Sequence, residues 1–453
     1  MNISSAMKEK QKWLNLLLKE RICSEINIRL INDNIKKWEI TIPLHDKKIY
    51  LDFNEKFYLN GYFEDFPCFN YNLRNKFFNT KYESLPAPGA KKRNFNIYSS
   101  KENFYLNYDI FGLTFWMLNR CEEKTLKKKF FDRHNRFIGK LSHAFLNNYY
   151  QQPIVDQWLI FFGELIKYIY PSINILKTNF NIYPTHDIDS PRRYSLLFKH
   201  RIIKNYLQDL KNDFSSANIK KLAMHSLNIS KENDPNDTFD WIMKTNKEFN
   251  KIGEFYFIAE SKNWRFDTGY KINSYFIKNL MKKLYDSGNI ISLHANYDSF
   301  KKGGDILNQK NILKDLCRQI SVFQPHWGTR SHYLRFDNPF SSRQCDNAGL
   351  KYDSSLYFSD LPGFRCGTCK EYFLFDIEEN KILDLREKPL IYMDINPFSG
   401  NFVEWNTKNE FYNCANILKN KCKEVGGDFI FLWHNCHLYD SSKKEMYLRI
   451  LSD

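Results

Sequence analysis

The sequence predicts an α/β protein in which a distorted, incomplete (β/α) barrel follows a smaller α+β domain. Through the second part of the chain, short apolar runs alternate with segments of helical period, which is typical of a parallel sheet with right-handed crossovers. Several of these runs end in a carboxylate or an imidazole. At 453 residues, 43% of them hydrophobic and 17% aromatic, the chain can form two cores, and we place the domains at 1–177 and 178–453.

The first domain is expected to begin with an amphipathic helix, because apolar side chains there recur at helical spacing between charged ones. Runs rich in β-branched and aromatic residues then predict two strands, and two longer apolar segments predict helices. These elements lie at 6–23, 38–42, 48–51, 107–126 and 153–169, before a boundary near Lys177.

The second domain is expected to alternate strands with helices. Strands are predicted at 181–189, 254–258 and 390–394 and in the runs that lead to His294, His332 and His434. Helices are predicted at 272–287 and 306–320, then a helix and a strand within 341–356, and a last helix before the final strand. The segment 195–237 is rich in Lys and Asn, and we expect it to form an insertion over the mouth of the barrel.

The strand predicted at 181–189 ends in two carboxylates, Asp187 and Asp189. Because they are two residues apart, both point to one face of a regular strand. Crowded carboxylates repel, and the pKa of one rises unless a cation or an arginine compensates. The pattern fits a metal ligand beside a general base. The alternative interpretation is a surface turn that caps the next helix at Ser190 and Pro191.

Three further apolar runs lead to histidines, namely His294, His332 and His434. Imidazoles and carboxylates at the ends of several strands are how an α/β barrel builds an active site on one face. A single histidine is more often a packing residue than a ligand. Several histidines at equivalent places on successive strands favour a functional site.

The strand ends carry short motifs in a defined order. They are Thr185-His186-Asp187-Ile188-Asp189, Leu293-His294, the arginine and proline of Arg335 to Pro339, Tyr352-Asp353-Ser354-Ser355 and Leu432-Trp433-His434. With these motifs, the chain from about residue 179 onward resembles the NodB-homology domain of polysaccharide deacetylases, carbohydrate esterase family 4. The resemblance implies a barrel of the NodB-homology type and hydrolysis of an N-acetyl group on an amino sugar.

The resemblance also implies roles for individual residues. It makes Asp187 the general base and Asp189 and His294 metal ligands. His434 would be the general acid that protonates the leaving amine. Arg335 would pair with Asp187 and keep it ionised, and Asp353 would orient His434.

One position departs from the family pattern, which has a second histidine four residues after the first. This chain has Asp298 there. Asp298 would share a face with His294 if the chain were helical at this point, whereas His332 would arrive from the next strand. We favour His332, because imidazole is the commoner zinc ligand. Both sets suit a divalent ion, for which zinc is expected and cobalt, nickel and manganese are the alternatives.

The N-terminal part resembles an uncharacterised bacterial domain that commonly precedes such deacetylase domains. The similarity rests on segments 109–112, 119–123, 132–137 and 153–156. The bacterial subgroup with this pairing also carries the signatures seen here at 330–336 and 363–368, and its members are linked to surface-polysaccharide synthesis. Within these signatures we assign Arg330 and Arg365 to substrate binding, since an arginine in an active-site loop can hold a carboxylate or a phosphate.

Charge and cysteine content bear on partners and location. The formal net charge of +15 favours attraction of an acidic or phosphate-bearing glycan precursor. The alternative explanation of this charge is an AT-rich genome, since Lys greatly exceeds Arg and Asn and Ile abound. Basic residues are spread along the chain and form no patch with aromatic platforms, so no nucleic-acid partner is expected. The apolar run at 13–18 is too short for a signal peptide, and no run approaches the roughly 20 residues of a membrane span. Ten cysteines then indicate reduced thiols in the cytoplasm, with peripheral contact with the inner membrane left open.

These inferences predict a metal-dependent deacetylase acting on an amino-sugar glycan or on its lipid-linked or nucleotide-linked precursor. Two alternatives stay open. One is removal of an O-acetyl group by the same residues, and the other is a catalytically inactive glycan-binding domain in polysaccharide assembly. The missing histidine at position 298 favours the inactive domain, whereas both aspartates and His434 favour catalysis.

Overall fold

The first part of the chain folds around a five-stranded sheet that is packed against helices. The computed structural model describes residues 3–33, 35–59, 61, 66–124, 126–194, 234–263, 265–267, 270–300, 305–394 and 408–452, with isolated positions between 203 and 219. Its first strands are β1 (Asn27–Asp33), β2 (Ile35–Thr41), β3 (Ile49–Asp52), β4 (Cys68–Asn72), β5 (Ser84–Pro88), β6 (Ile97–Ser100) and β7 (Asn103–Leu106). The helices are α1 (Ile3–Arg21), α2 (Ile110–Leu118), α3 (His143–Leu146) and α4 (Ile154–Ile169).

Strand order in this sheet is β1-β2-β3-β7-β6, and β4 pairs with β5 in a separate ribbon. All neighbours in the sheet are antiparallel except β3 and β7. Helix α1 buries Trp13, Leu14, Leu17 and Leu18, which recur at helical spacing. The mixture of antiparallel strands and helices agrees with the α+β character predicted for this part.

The second part is built on a nine-stranded sheet. Its strands are β8 (Asn181–Ile188), β9 (Glu254–Phe257), β10 (Ile290–Ala295), β11 (Gly328–Ser331), β12 (Tyr352–Asp353), β13 (Tyr372–Asp376), β14 (Lys381–Glu387), β15 (Tyr392–Met393) and β16 (Asp428–Leu432). They lie in the order β13-β14-β12-β11-β10-β9-β8-β16-β15. Among the strands that the structure describes here, only the β13–β14 pair is antiparallel. The predicted α/β protein with a parallel sheet is therefore confirmed.

Helices connect these strands and cover the sheet. They are α5 (Phe239–Glu248), α6 (Tyr275–Asp286), α7 (Ile306–Gln319), α8 (Phe340–Asn347), α9 (Lys408–Val425) and α10 (Ser441–Leu451). The local sequence sets their ends: the Ser274 side chain accepts a hydrogen bond from the Ile277 amide and caps α6. Gly288, with φ of +82°, then allows the chain to turn back toward β10.

Strands β13 and β15 form the two edges of the nine-stranded sheet. Within the residues that the structure describes, they do not pair with each other, so the described strands do not close into a barrel. The predicted insertion at 195–237 lies almost wholly outside the described residues, and its position over the mouth stays a prediction. Among the helices that the structure describes, none has the length and apolar character needed to span a membrane.

The two parts of the chain share one continuous hydrophobic core. Trp13 of α1 donates its indole N–H to the carbonyl of Phe373 in β13 at 2.7 Å, and the Tyr372 hydroxyl donates to the carbonyl of Leu118 at the end of α2. The N-terminal part therefore packs directly on the β13–β14 side of the larger sheet.

Candidate metal centre

The candidate site lies at the carboxyl edge of the nine-stranded sheet. Asp187 is near the end of β8 and Asp189 follows that strand. His294 is in β10, His332 comes directly after β11, and His434 is two residues beyond β16. Because parallel strands all end at the same edge of a sheet, these residues converge although they are far apart in sequence.

Asp189, His294 and His332 bring three ligand atoms together. Oδ1 of Asp189 lies 3.2 Å from Nε2 of His294 and 3.4 Å from Nε2 of His332. The ligand atoms of all three residues lie within 4.8 Å of one another. Both imidazoles are buried, whereas the Asp189 side chain is 26% exposed, so the cluster reaches the surface on the Asp189 side.

The hydrogen bond on one side of the His294 ring suits a cation on the other side. Its Nδ1 lies 2.9 Å from the carbonyl oxygen of Arg330 and must carry a proton to donate to it. In the neutral ring Nε2 then has a lone pair, and this buried atom has no hydrogen-bond partner and faces the Asp189 carboxylate. A lone pair on Nε2 and one on the carboxylate repel each other unless a cation or a proton lies between them. One carboxylate and two imidazoles also match the three protein ligands typical of catalytic zinc sites.

Asp267 is hydrogen-bonded to Nδ1 of His332, the ring nitrogen that does not face Asp189. This nitrogen lies 2.9 Å from Asp267 Oδ1, and such carboxylate–histidine pairs orient imidazole ligands. Burial lowers the pKa of His332, but the Asp189 and Asp267 carboxylates outweigh it and raise the pKa to about 10. Burial likewise raises the pKa of Asp189, but the two histidines hold that pKa well below its usual range.

Asp187 borders this cluster and is paired with Arg330. Nη1 of Arg330 lies 2.9 Å from Asp187 Oδ1 and 2.9 Å from the Thr185 hydroxyl. The same guanidinium donates to the carbonyl and the hydroxyl of Ser354 at 2.9 Å, so its position is fixed. The second Asp187 oxygen, Oδ2, lies 3.7 Å from His294 Nε2. Asp187 therefore presents one oxygen to the cluster while Arg330 holds the other.

His434 borders the cluster from β16 and is oriented by Asp394. Its Nδ1 lies 2.7 Å from Asp394 Oδ1, and its backbone N–H donates to Oδ2. Its Nε2 lies 3.7 Å from Asp189 Oδ2. Burial lowers the pKa of His434, but the Asp394 carboxylate outweighs it and raises the pKa to about 9.

Asp394 also binds a second histidine, His437, whose Nδ1 lies 2.7 Å from Oδ2. Asp394, His434 and His437 form a second group whose ligand atoms are close enough to hold a cation. Their mutual hydrogen bonds account for the arrangement without one, because a single carboxylate accepts from both rings. Burial raises the pKa of Asp394, but the two imidazoles outweigh it and lower that pKa.

The structure brings His332, and not Asp298, to Asp189 and His294. Strand β10 ends at Ala295 and the chain then turns, so residue 298 does not follow His294 along a helix. Instead, Asp298 Oδ2 accepts a hydrogen bond from the Asn263 side chain at 3.2 Å. That Asp189, His294 and His332 bind a metal ion is a proposal.

Two pairings expected from the resemblance are wrong in this structure. Asp187 is paired with Arg330 rather than Arg335, because Arg330 lies in β11 whereas Arg335 lies beyond its end and donates to backbone carbonyls. His434 is oriented by Asp394 rather than Asp353. Asp353 lies in β12, which four strands separate from β16, and both its oxygens accept hydrogen bonds from Ser355.

Arg330 and Arg365, which the sequence assigns to substrate binding, are buried and paired with carboxylates of the protein. Arg365 donates two hydrogen bonds to the Glu123 carboxylate and one to the carbonyl of Tyr357, and only 4% of its side chain is exposed. Arg330 is fully buried against Asp187. Contacts of this kind satisfy both guanidinium groups within the protein and argue against direct substrate contact.

Two residues of the site were not anticipated as functional. Asp394 ends the run 390–394, which shows the same apolar-strand-then-carboxylate pattern as β8, and that pattern could have identified it. Asp267 lies in a loop after β9, where no periodicity marks it. Only its hydrogen bond to His332 reveals its role.

Residues 3–171 match the model of a family of unknown function, DUF7033. No curated protein shows significant sequence similarity to this chain. Among solved structures, a protein from Mycobacterium smegmatis provisionally named a polysaccharide deacetylase is 14% identical, with a TM-score of 0.37 over 60% of this chain and 82% of its own.

Two further solved structures show a similar degree of likeness. The polysaccharide deacetylase Bc1974 from Bacillus cereus is 12% identical, with a TM-score of 0.30 over 61% of this chain and 87% of its own. Puue allantoinase is 11% identical, with a TM-score of 0.36 over 60% of this chain and 82% of its own.

Proposed function

We propose that this chain is a metal-dependent hydrolase that removes the N-acetyl group from an amino sugar of a cell-surface polysaccharide or of its precursor. The main support is the placement of Asp187 and His434 around the candidate ligands. Asp187 Oδ2 lies 3.7 Å from His294 Nε2, and His434 Nε2 lies 3.7 Å from Asp189 Oδ2. Amide hydrolysis needs a base and an acid that both reach the reacting group.

In this proposal Asp189, His294 and His332 would hold a divalent ion, most suitably zinc, which when bound would polarise the amide carbonyl and lower the pKa of water. Asp187 acts as the general base through Oδ2, because Arg330 holds Oδ1. It takes a proton from water while the water oxygen forms a bond to the acetyl carbon. The hydrogen bond from Arg330 fixes the orientation of the carboxylate for this transfer.

His434 acts as the general acid. Its Nε2 gives a proton to the amide nitrogen as the carbon–nitrogen bond breaks, because an amine is too poor a leaving group to depart as an anion. Asp394 fixes the ring through Nδ1 and stabilises its charged form. The products are acetate and the free amino sugar, and proton exchange with solvent restores both side chains.

The proposed substrate is an amino-sugar glycan or a lipid-linked or nucleotide-linked precursor in the cytoplasm. All ten cysteines are free thiols in the structure, which supports a reducing compartment. The net charge of +15 supports capture of a phosphate-bearing molecule. An O-acetyl group is the alternative target, since the same base and ligands would serve ester hydrolysis.

The direct test measures acetate released by zinc-loaded protein from oligomers of N-acetylglucosamine, from an aryl acetate ester and from extracted cell-surface glycan. Wild-type protein should release acetate from an amide substrate, and Asp187→Asn should release little. Asp428→Asn is the matched control, because Asp428 lies at the opposite end of the neighbouring strand β16. Release from esters alone would make the protein an O-deacetylase, and release from none would favour the inactive glycan-binding domain.

A further inference from the structure

The loop Asp132–Arg136, which belongs to the N-terminal part, reaches the metal centre of the second part. Nδ1 of His134 lies 2.8 Å from the Tyr297 hydroxyl, in the turn that follows β10. Arg136 donates to the carbonyl of Tyr333 at 3.0 Å, and Tyr333 directly follows the candidate ligand His332. Both partners lie beside strand ends that carry candidate metal ligands.

Arg335 connects the loop 132–136 to the turn after β10 by a hydrogen bond to each. Its Nε donates to the carbonyl of His134 at 2.8 Å, and its Nη1 donates to the carbonyl of Tyr297 at 2.5 Å. The guanidinium also lies 3.7 Å from the centre of the Tyr297 ring and 3.8 Å from that of Phe300. Arg335 is buried, so these bonds are shielded from water.

From Tyr297 the contacts continue to the candidate metal ligand. The Tyr297 amide donates to Asp267 Oδ1 at 2.8 Å, and the same oxygen lies 2.9 Å from Nδ1 of His332. A short series of hydrogen bonds therefore runs from His134 through Tyr297 and Asp267 to His332. Each residue in it is buried, and residues that support ligands in this way tune metal affinity.

The backbone at His332 needs such support. Tyr333 and Leu334 have φ values of 59° and 56°, a left-handed conformation that is costly for residues with side chains. The Arg136 bond to the Tyr333 carbonyl and the tilted contact of the His134 and Tyr333 rings, with centroids 4.9 Å apart, hold this segment. The loop 132–136 thus stabilises both the side chain and the backbone position of His332.

We propose that His134 is a positioning residue of the metal centre, which makes the N-terminal part a component of the active site rather than a separate module. It acts through Tyr297 and Asp267 on the orientation of His332. The proposal rests on the metal site proposed above and adds to it a contribution from the region of unknown function. A purely structural role of His134 would change folding stability without changing the ligand geometry.

The test measures the dissociation constant of Co²⁺ for metal-free protein by competition with a chromophoric chelator, together with the visible spectrum of the bound ion. His134→Ala should weaken Co²⁺ binding by roughly 10-fold, the lower end of the effect of outer partners. His134→Asn should recover most of the affinity, since its amide can replace Nδ1 against the Tyr297 hydroxyl. His45→Ala, an exposed histidine of the same N-terminal part, should bind as wild type does.

A double-mutant cycle with Tyr297→Phe separates positioning from general destabilisation. Tyr297→Phe removes only the hydroxyl that meets His134, so the double variant should bind Co²⁺ no more weakly than His134→Ala alone. Additive losses, or wild-type affinity and spectrum in His134→Ala, would overturn the positioning role while leaving the proposed function intact. Failure of wild-type protein to bind Co²⁺ would instead overturn the proposed function, and the inference with it.

Discussion

Arg330 and Asp187 form a fully buried ion pair, with Nη1 of the arginine 2.9 Å from Oδ1 of the aspartate. The same arginine reaches Thr185 and Ser354, so it links β8 to the segment after β12 across the sheet. Its carbonyl oxygen also accepts a hydrogen bond from Nδ1–H of His294. One residue thereby fixes the candidate base and the tautomer of a candidate ligand.

We expect Arg330→Met to lower the free energy of unfolding by about 3–5 kcal/mol, because Asp187 would be left as a buried, unpaired charge. The double variant Arg330→Met, Asp187→Asn should recover much of this loss, since the uncompensated charge is removed. Urea unfolding at neutral pH measures both effects. Equal stability of the single and the double variant would show that the pair does not interact as the geometry implies.

The proposed ligand set predicts which substitutions abolish tight metal binding. Asp189→Ala, His294→Ala and His332→Ala should each lose stoichiometric zinc or cobalt, because two protein ligands remain. Asp298→Ala should keep the metal, since the structure places that side chain against Asn263. Metal analysis after dialysis provides the measurement. Loss of metal from Asp298→Ala with retention in His332→Ala would reverse the assignment of the third ligand.

The proposed base and acid predict different effects on amide and ester substrates. Asp187→Asn should keep the metal but lower turnover by roughly 10²–10⁴-fold on both substrates, as expected for loss of a positioned base. His434→Ala should lower turnover of the amide more than that of the ester. The alcohol of an ester can leave as an alkoxide, whereas an amine is too basic to leave as an anion and needs a proton. Asp394→Asn should show the same amide preference with a smaller loss. Steady-state rates, with the metal content of each variant checked, provide the measurement. A rate for Asp187→Asn equal to that of wild type would refute the role of Asp187 as the base.

Buried carboxyl groups next to the site predict how stability depends on pH. Asp353 and Glu387 are adjacent and buried, and burial, only partly offset by hydrogen bonds from Ser355, raises the pKa of Asp353 to about 6. Burial and the charge of Asp353 raise the pKa of Glu387 well above its usual range. The folded protein therefore binds protons more tightly than the unfolded chain, so this contribution to stability is complete below about pH 4 and is lost as the pH rises through 6.

Glu387→Gln should flatten this decline, because it replaces one titrating group by a neutral isostere. Unfolding free energies between pH 4 and 8 would show the change against wild type. Glu83→Gln, at an exposed position, is the control and should leave the pH dependence unaltered. A Glu387→Gln profile parallel to that of wild type would mean that the pKa of Glu387 is not raised in the folded protein.

The sequence is informative about strand ends and less so about strand neighbours. Alternation of apolar residues places Asp187, Asp189, His294 and His434 at the ends of buried strands, and the structure shows all of them at one edge. Periodicity does not reveal strand order, however. The family resemblance pairs Asp353 with His434, although β12 and β16 are distant, while Asp394, in the segment after the neighbouring strand β15, makes the contact.

The features that the sequence does not reveal lie in loops and in contacts between residues far apart in the chain. Arg330 and Arg335 are five residues apart in one motif, and only the end of β11 decides which of them faces Asp187. The hairpin β13–β14 was not predicted, and it forms part of the surface on which the N-terminal helices pack. The approach of His134 to Tyr297 joins residues 163 positions apart, which no local pattern can show.

Acetylation of the cell-surface glycan should depend on the proposed activity of this chain. If the chain deacetylates an amino sugar before export, deletion of its gene should leave one additional acetyl group per repeating unit, and wild-type protein should remove it again on complementation. Complementation with Asp187→Asn should fail although the protein accumulates normally, because the metal site and fold remain while the base is lost. Mass spectrometry of glycan from the four strains measures this directly. Identical acetylation in all strains would contradict the proposed function, and complete absence of the glycan, restored equally by wild type and Asp187→Asn, would indicate the inactive assembly component instead.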